Sequence, residues 1–298
     1  MTTCYNLNMI NIPTKKLNNG FEMPVLGFGT WGMGGRFEKE TNYDESNDIQ
    51  AIRKTIELGG YRFDVAEMYA EGYSEEILGK ALKEYDRAKL FITSKVSPAH
   101  LGYEDLIASC KASLARLQMD YLDLYLIHMP NPEISIEETM RAFDFLVEKG
   151  MIKSIGVCNF NIERLIEAQS KTKNKIVLNQ VHYNLIFREP ALKGVIKYCQ
   201  ENDIFIEAWR PIQQGCLTKK GIDIIDRLCE KYNKTPSEIA INWLVSQKNV
   251  ITLTKTSNIK HLEEDMGSVG WNMSDEDVLL LINDYPIQLD RSNAVQLK

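Results

Sequence analysis

Short apolar runs rich in β-branched residues alternate along the chain with longer stretches in which apolar positions recur every three or four residues. The first class predicts strands over 24–30 (PVLGFGT), 61–66 (YRFDVA), 90–96 (LFITSKV), 122–128 (LDLYLIH), 152–160, 176–184 (IVLNQVHYN), 204–209 (IFIEAW) and 250–255 (VITLTK). Several are apolar nearly throughout, as expected for parallel strands covered on both faces. The second class predicts helices over 45–59, 104–118, 136–149 and 235–247. The first stops at Gly59-Gly60 and the third at Gly150, glycine being a favoured helix terminator. In the second, Leu106, Cys110, Leu114 and Leu117 share one face. The fourth opens with Thr235 as N-cap, Pro236 in the first helical position and Glu238 three residues after the cap.

Eight strands separated by helical segments need right-handed crossovers and predict a closed (β/α)8 TIM barrel. An open doubly wound sheet would favour a GxGxxG turn after the first strand. The segment GFGTWGMGG (27–35) is glycine-rich but has the wrong spacing. Upstream, the segment around 13–24 carries Asn19-Gly20 and reads as a β-hairpin capping the barrel bottom. Residues 36–44 read as a loop and 285–298 as a C-terminal surface extension, so residues 1–298 are expected to form a single barrel domain.

Composition narrows the class without changing the fold. With 44% hydrophobic and 26% charged residues in 298 the chain is ordinary for a globular protein. A net charge of −6 argues against nucleic acid as a partner. No run of 18 apolar residues predicts a membrane helix. The opening segment lacks the basic and apolar regions of a secretion signal, which points to the cytoplasm. The six cysteines (Cys4, Cys110, Cys158, Cys199, Cys216, Cys229) show no zinc spacing and read as reduced thiols, so no metal site is expected. No surface patch encodes assembly, and a monomer or weak homo-oligomer is the expectation.

Barrel chemistry gathers at the C-terminal ends of the strands. Asp64 closes the second predicted strand, Tyr69 follows it, Lys95 ends the third and His128 the fourth. One acid, one phenol, one amine and one imidazole on three successive strands would carry a desolvation cost without function.

These segments resemble the aldo-keto reductase superfamily. DVAEMYAEGYSEEILGKAL (64–82) and SLARLQMDYLDLYLIH (113–128) look like its two signatures, and FITSKV (91–96) like its lysine strand. LGFGTW, IGVCNF, NQVHYN and TPSEIAINWL follow in the family's order, so the resemblance spans roughly 15 to 268. It implies carbonyl reduction by hydride from NADPH, with NADH as the alternative. Tyr69 would be the general acid, its pKa lowered by Lys95, which Asp64 holds in place; His128 would orient the substrate carbonyl.

The resemblance also implies that Asn159 and Gln180 hold the nicotinamide amide, with Cys158 where the family has a serine, and that Trp209 stacks on the ring. Gly29, Thr30 and Trp31 would border the cofactor, Trp31 also walling the substrate pocket. Lys255, Thr256 and Ser257 would meet phosphate, with His261 in place of the family's arginine and Asp265 in place of a frequent asparagine. The substrate is expected to be a small aldehyde or ketone. Two rivals remain from the residues alone: Lys95 as the Schiff-base nucleophile of an aldolase, and a catalytically silent NADPH-binding subunit.

Overall fold

The computed structural model describes residues 9–298; Cys4 and the first half of the opening segment lie outside them. Two short antiparallel strands, β1 (Thr14–Lys16) and β2 (Glu22–Pro24), precede eight parallel strands. These are β3 (Leu26–Gly29), β4 (Arg62–Asp64), β5 (Phe91–Val96), β6 (Leu124–Ile127), β7 (Ile155–Cys158), β8 (Ile176–His182), β9 (Phe205–Trp209) and β10 (Val250–Thr254). They close in chain order, β10 pairing with both β9 and β3. Every predicted strand is present, trimmed at its ends, and each is followed by at least one helix.

The expected hairpin sits at the bottom of the barrel. Lys15 Nζ donates to the carbonyls of Val245 and Val250 at 2.6 and 2.8 Å, at the N-terminal side of β10. The Phe21 ring lies 6.1 Å from those of Phe91 and Phe205, which open β5 and β9. Its turn bends at Gly20, where φ is +90°, a conformation that favours glycine.

The helices fall close to their predicted spans: Ser46–Glu57, Tyr103–Leu117, Ile136–Glu148 and Pro236–Ser246. The last begins with a complete capping box, Glu238 N–H donating to Thr235 Oγ1 and Thr235 N–H donating to Glu238 Oε2 at 2.8 Å. Among the described residues no helix is long and apolar enough to cross a membrane, and no group of side chains is arranged to hold a metal ion.

The tail is mostly exposed and is anchored at a few points. Residues 285–298 are tied to the barrel mouth: Arg188 N–H donates to Leu289 O at 2.8 Å, and Lys298 N–H to Asn159 O at 3.0 Å. Ser292 is buried, its N–H donating to Glu189 Oε2 at 2.9 Å. The extension is therefore part of the mouth's wall.

Candidate active site

Strand register places the polar side chains. Asp64 is the last residue of β4, Lys95 lies on β5, and both are essentially removed from solvent. Lys95 Nζ donates to Asp64 Oδ1, to Val65 O at 3.1 Å, and lies 3.1 Å from the Tyr69 hydroxyl. Tyr69 opens a tight turn, Tyr69–Gly72, in which Ala70 and Glu71 adopt φ of 48° and 55°. Their N–H groups donate to the carbonyls of Arg36 and Phe37 at 2.8 and 3.0 Å, so the loop read at 36–44 begins by bracing this turn. Around the phenol, Trp31 and His128 pack edge-on at ring separations of 4.9 and 5.5 Å. The four expected groups and Trp31 are thus together.

The electrostatics correct one expectation. Burial pushes the Tyr69 phenol up to about 12, and the Lys95 ammonium pulls it back only in part. The net shift is upward, so at neutral pH the hydroxyl keeps its proton. The Lys95 ammonium favours the phenolate form but does not offset the burial. Burial disfavours the Lys95 ammonium, but the Asp64 carboxylate outweighs it and holds the amine above the ordinary lysine range. A Schiff-base nucleophile must be neutral, so this arrangement disfavours the aldolase reading. Burial, then Lys95, drive the His128 imidazole down to about 3. It is neutral and its Nδ1 has no protein partner.

Across the barrel, β8 and β9 supply a second cluster. Paired register sets Gln180 beside Glu207 and His182 beside Trp209. Trp209 stacks on His182 at 4.3 Å and 12°, and His182 on Phe187 at 4.4 Å. Trp209 Nε1 donates to Asn159 Oδ1 at 3.4 Å, with Asn159 at a φ of 61°. Gln180 is turned further into the barrel than expected: its Nε2 donates to Asp64 Oδ2 at 3.0 Å and to Glu207 Oε2 at 2.7 Å. The Cys158 thiol lies 3.7 Å from Gln180 Oε1. Thr30 is fully buried and its hydroxyl donates to Asp64 O at 3.1 Å. It clamps the ends of β3 and β4 together and does not open onto the mouth.

The phosphate candidates form a third group past β10. Asn258 caps the helix Ile259–Met266, its Oδ1 accepting from Lys260 N–H at 2.9 Å. Lys255 and His261 are exposed, and Lys255 Nζ lies 3.5 Å from Ser257 Oγ. Thr256 accepts from Asn258 N–H at 3.0 Å. Ser257 is partly occupied, donating to Asp48 Oδ1 at 2.7 Å. Gly29 joins this group to the first: a Cβ there would lie 2.8 Å from Leu253 and 3.9 Å from the Lys255 Cβ.

His182 escaped the sequence reading. It is buried, with Nδ1 2.7 Å from Ser292 Oγ and Nε2 2.9 Å from Gln213 Oε1. One ring thus links the Trp209 platform, the loop after β9 and the C-terminal tail. The signal was period two: Gln180 and His182 alternate along one face of an otherwise mostly apolar strand.

Comparison with known proteins settles the family. The Aldo/keto reductase family profile matches residues 25–281. The chain belongs to this family. It is 35% identical over 268 residues to the glyoxal reductase of Bacillus subtilis, covering 89% of this chain and 90% of that protein. It is 31% identical to the methylglyoxal reductase YeaE of Escherichia coli, covering 89% and 92%. Among solved structures, the thermostable aldo-keto reductase Tm1743 in complex with the inhibitor epalrestat superposes with a TM-score of 0.87 at 38% identity, covering 91% of this chain and 98% of that one. An aldo-keto reductase of Klebsiella pneumoniae in complex with NADP and acetate gives 0.82 at 30%, covering 96% and 99%. As a member of the aldo-keto reductases the protein is an oxidoreductase of carbonyl and alcohol groups.

Proposed function

We propose that this aldo-keto reductase reduces small aldehydes and α-dicarbonyls with NADPH, with Tyr69 as the proton donor. The observation that carries the reading is the Lys95 ammonium lodged between the Asp64 carboxylate and the Tyr69 hydroxyl, 3.1 Å from the latter. The glyoxal and methylglyoxal reductases among its relatives supply the substrate class.

The donor groups fit the dinucleotide. Trp209 is half-buried, with one face on His182 and Asn159 at its edge, which suits a flat aromatic ring. Exposed Lys255, the Thr256 hydroxyl and a capped helix N-terminus suit phosphate. NADPH is preferred over NADH because Lys255 offers a cation there.

When bound, the cofactor supplies the hydride. As negative charge grows on the substrate oxygen, Tyr69 gives it its proton, and the phenolate left behind is stabilised by Lys95. Asp64 keeps Lys95 charged and in place. Neutral His128, in its Nε2–H form, donates a second hydrogen bond to the carbonyl without competing as an acid. Trp31 and Phe37, whose rings lie 5.0 Å apart, give the pocket an apolar side. The Tyr69 proton returns from solvent through the mouth.

We further propose a single domain and a cytoplasmic monomer or weak homo-oligomer without nucleic-acid or membrane partners. The test is loss of NADPH absorbance with glyoxal and methylglyoxal. Tyr69→Phe should lower kcat by roughly 100- to 10,000-fold, the usual worth of a positioned proton donor, while leaving NADPH affinity intact. Activity within tenfold of wild type in that variant would remove Tyr69 from its role. NADPH binding with no turnover in the wild type would leave a silent binding subunit.

A further inference from the structure

Beneath the reactive groups, one layer deeper in the barrel, lie two buried charges that the mechanism does not use. Arg62 precedes Asp64 by two residues on β4, and Glu207 precedes Trp209 by two on β9, so each points to the same side as its functional neighbour. Arg62 is 1% and Glu207 0% exposed. Arg62 Nη1 donates to Glu207 Oε1, and Nη2 to Thr252 O. The guanidinium fits because position 27 is glycine: a Cβ there would lie 2.6 Å from Arg62 Nε.

The pair is continuous with the active site through one amide. Gln180 Nε2 donates to Glu207 Oε2 at 2.7 Å and to Asp64 Oδ2 at 3.0 Å. Both amide hydrogens are therefore committed to carboxylates, and the amide has one allowed orientation. Flipped, its oxygen would face two negative charges in a buried site, a repulsion that low dielectric magnifies. The Gln180 carbonyl is consequently presented on the side of Cys158. The buried set, Lys95 and Arg62 against Asp64 and Glu207, is neutral as a whole.

We propose that Arg62 and Glu207 are positioning residues of the reductase. Acting through Gln180, they hold the second oxygen of Asp64 and fix the amide carbonyl on the Cys158 side as a pure hydrogen-bond acceptor. The group it receives must be a donor, as the carboxamide NH2 of a nicotinamide is; this part rests on the cofactor reading above. A buried ion pair contributes little net stability. Replacing it with apolar residues of similar volume should therefore spare the fold and remove the positioning.

Two measurements test this. In protein labelled with 15N at glutamine, the Gln180 side-chain amide, assigned by its disappearance in Gln180→Met, should exchange slowly with solvent in the wild type. It should exchange at least about tenfold faster in Arg62→Met/Glu207→Met. In parallel, NADPH Kd from tryptophan quenching should rise at least about tenfold in the double variant and in Gln180→Met. Combining all three substitutions should add nothing further, because both changes remove the same contact. Unchanged exchange in the double variant overturns the proposal, as do penalties that multiply in the combined variant. Slow exchange in a wild type that does not bind NADPH would sink the cofactor reading and leave the positioning role standing. Should the double variant fail to fold, Arg62→Gln/Glu207→Leu, which leaves no buried charge unpaired and keeps a donor for Thr252 O, carries the same exchange and binding measurements with the same expectations.

Discussion

Replacing Lys95 with methionine keeps the volume and removes the charge on which the site turns. Lys95 is fully buried and its Nζ is the donor to Asp64 Oδ1; what remains for that carboxylate is the Gln180 amide at 3.0 Å on its other oxygen. Breaking a buried pair in this way costs about 3–5 kcal/mol. The carboxyl has an escape, which is to take up a proton. Against an ordinary aspartate value near 3.9, holding that proton at about pH 7 costs 1.36 kcal/mol per pH unit, roughly 4 kcal/mol, and at about pH 5 only some 1.5 kcal/mol. The sign follows: the variant's folded state binds a proton that its unfolded chain releases, so its deficit grows as pH rises from about 4 and shrinks as pH falls. Urea unfolding of wild type and Lys95→Met at a series of pH values measures it. A deficit independent of pH, or one below about 1 kcal/mol at neutral pH, would mean that Asp64 and Lys95 are not a tightly coupled buried pair. Asp64→Asn in the same chain should restore most of the stability and none of the activity, because Tyr69 would still lack the cation that stabilises its phenolate.

Two further groups give the stability profile its limbs. Burial lifts Asp265 to about 7, so the folded carboxyl keeps a proton that the unfolded chain gives up and stability declines as pH rises through that range. Asp265→Asn should raise Tm by several degrees at about pH 8, with the gain vanishing toward pH 4. His182 is driven by burial down to about 4. Its unfolded form takes a proton below about 6.5, and roughly 3 kcal/mol is lost as pH falls from there to the folded value. His182→Phe keeps the stack on Trp209 but releases Ser292 and Gln213. The acid loss of stability should shrink, and backbone amide exchange at Ser292 and Lys298 should quicken. An acid limb as steep as in wild type would exclude His182 as its source.

The strands were legible because a parallel barrel buries both faces of each, which leaves long apolar runs that few other contexts produce. The residues of the candidate site were legible for the complementary reason: Asp64, Lys95 and His128 interrupt those runs at or near their C-terminal ends, where a polar group needs a purpose. Whatever depends on register or on backbone shape stayed hidden. Arg62 and Glu207 sit in strands that were correctly read, yet nothing in one strand says that its arginine will meet the glutamate of another 145 positions away. The tail carries no helical or strand period to read, and it is held largely by backbone groups, which every sequence possesses. The direction of the Tyr69 shift was misjudged because the cation was visible in sequence and the depth of burial was not.

The turn that aims Tyr69 shows how such hidden features bear on function. Ala70 and Glu71 both occupy the left-handed region, each at a cost of the order of 1 kcal/mol. The sequence offers only Gly72, at φ +87°, as a conformational concession. Glycine is required there: a Cβ would lie 2.5 Å from Arg116 Nε, which donates to buried Glu75 at 2.6 Å. The two strained N–H groups are met by carbonyls of the first barrel loop, and the phenol is met by Lys95 and the edge of Trp31. The strain persists because the surroundings determine the geometry from several sides at once, as at other sites where a side chain must point against local preference. Tyr69 is thereby held with its hydroxyl on the amine before any ligand arrives, which is the preorganisation that the proposed proton donation requires.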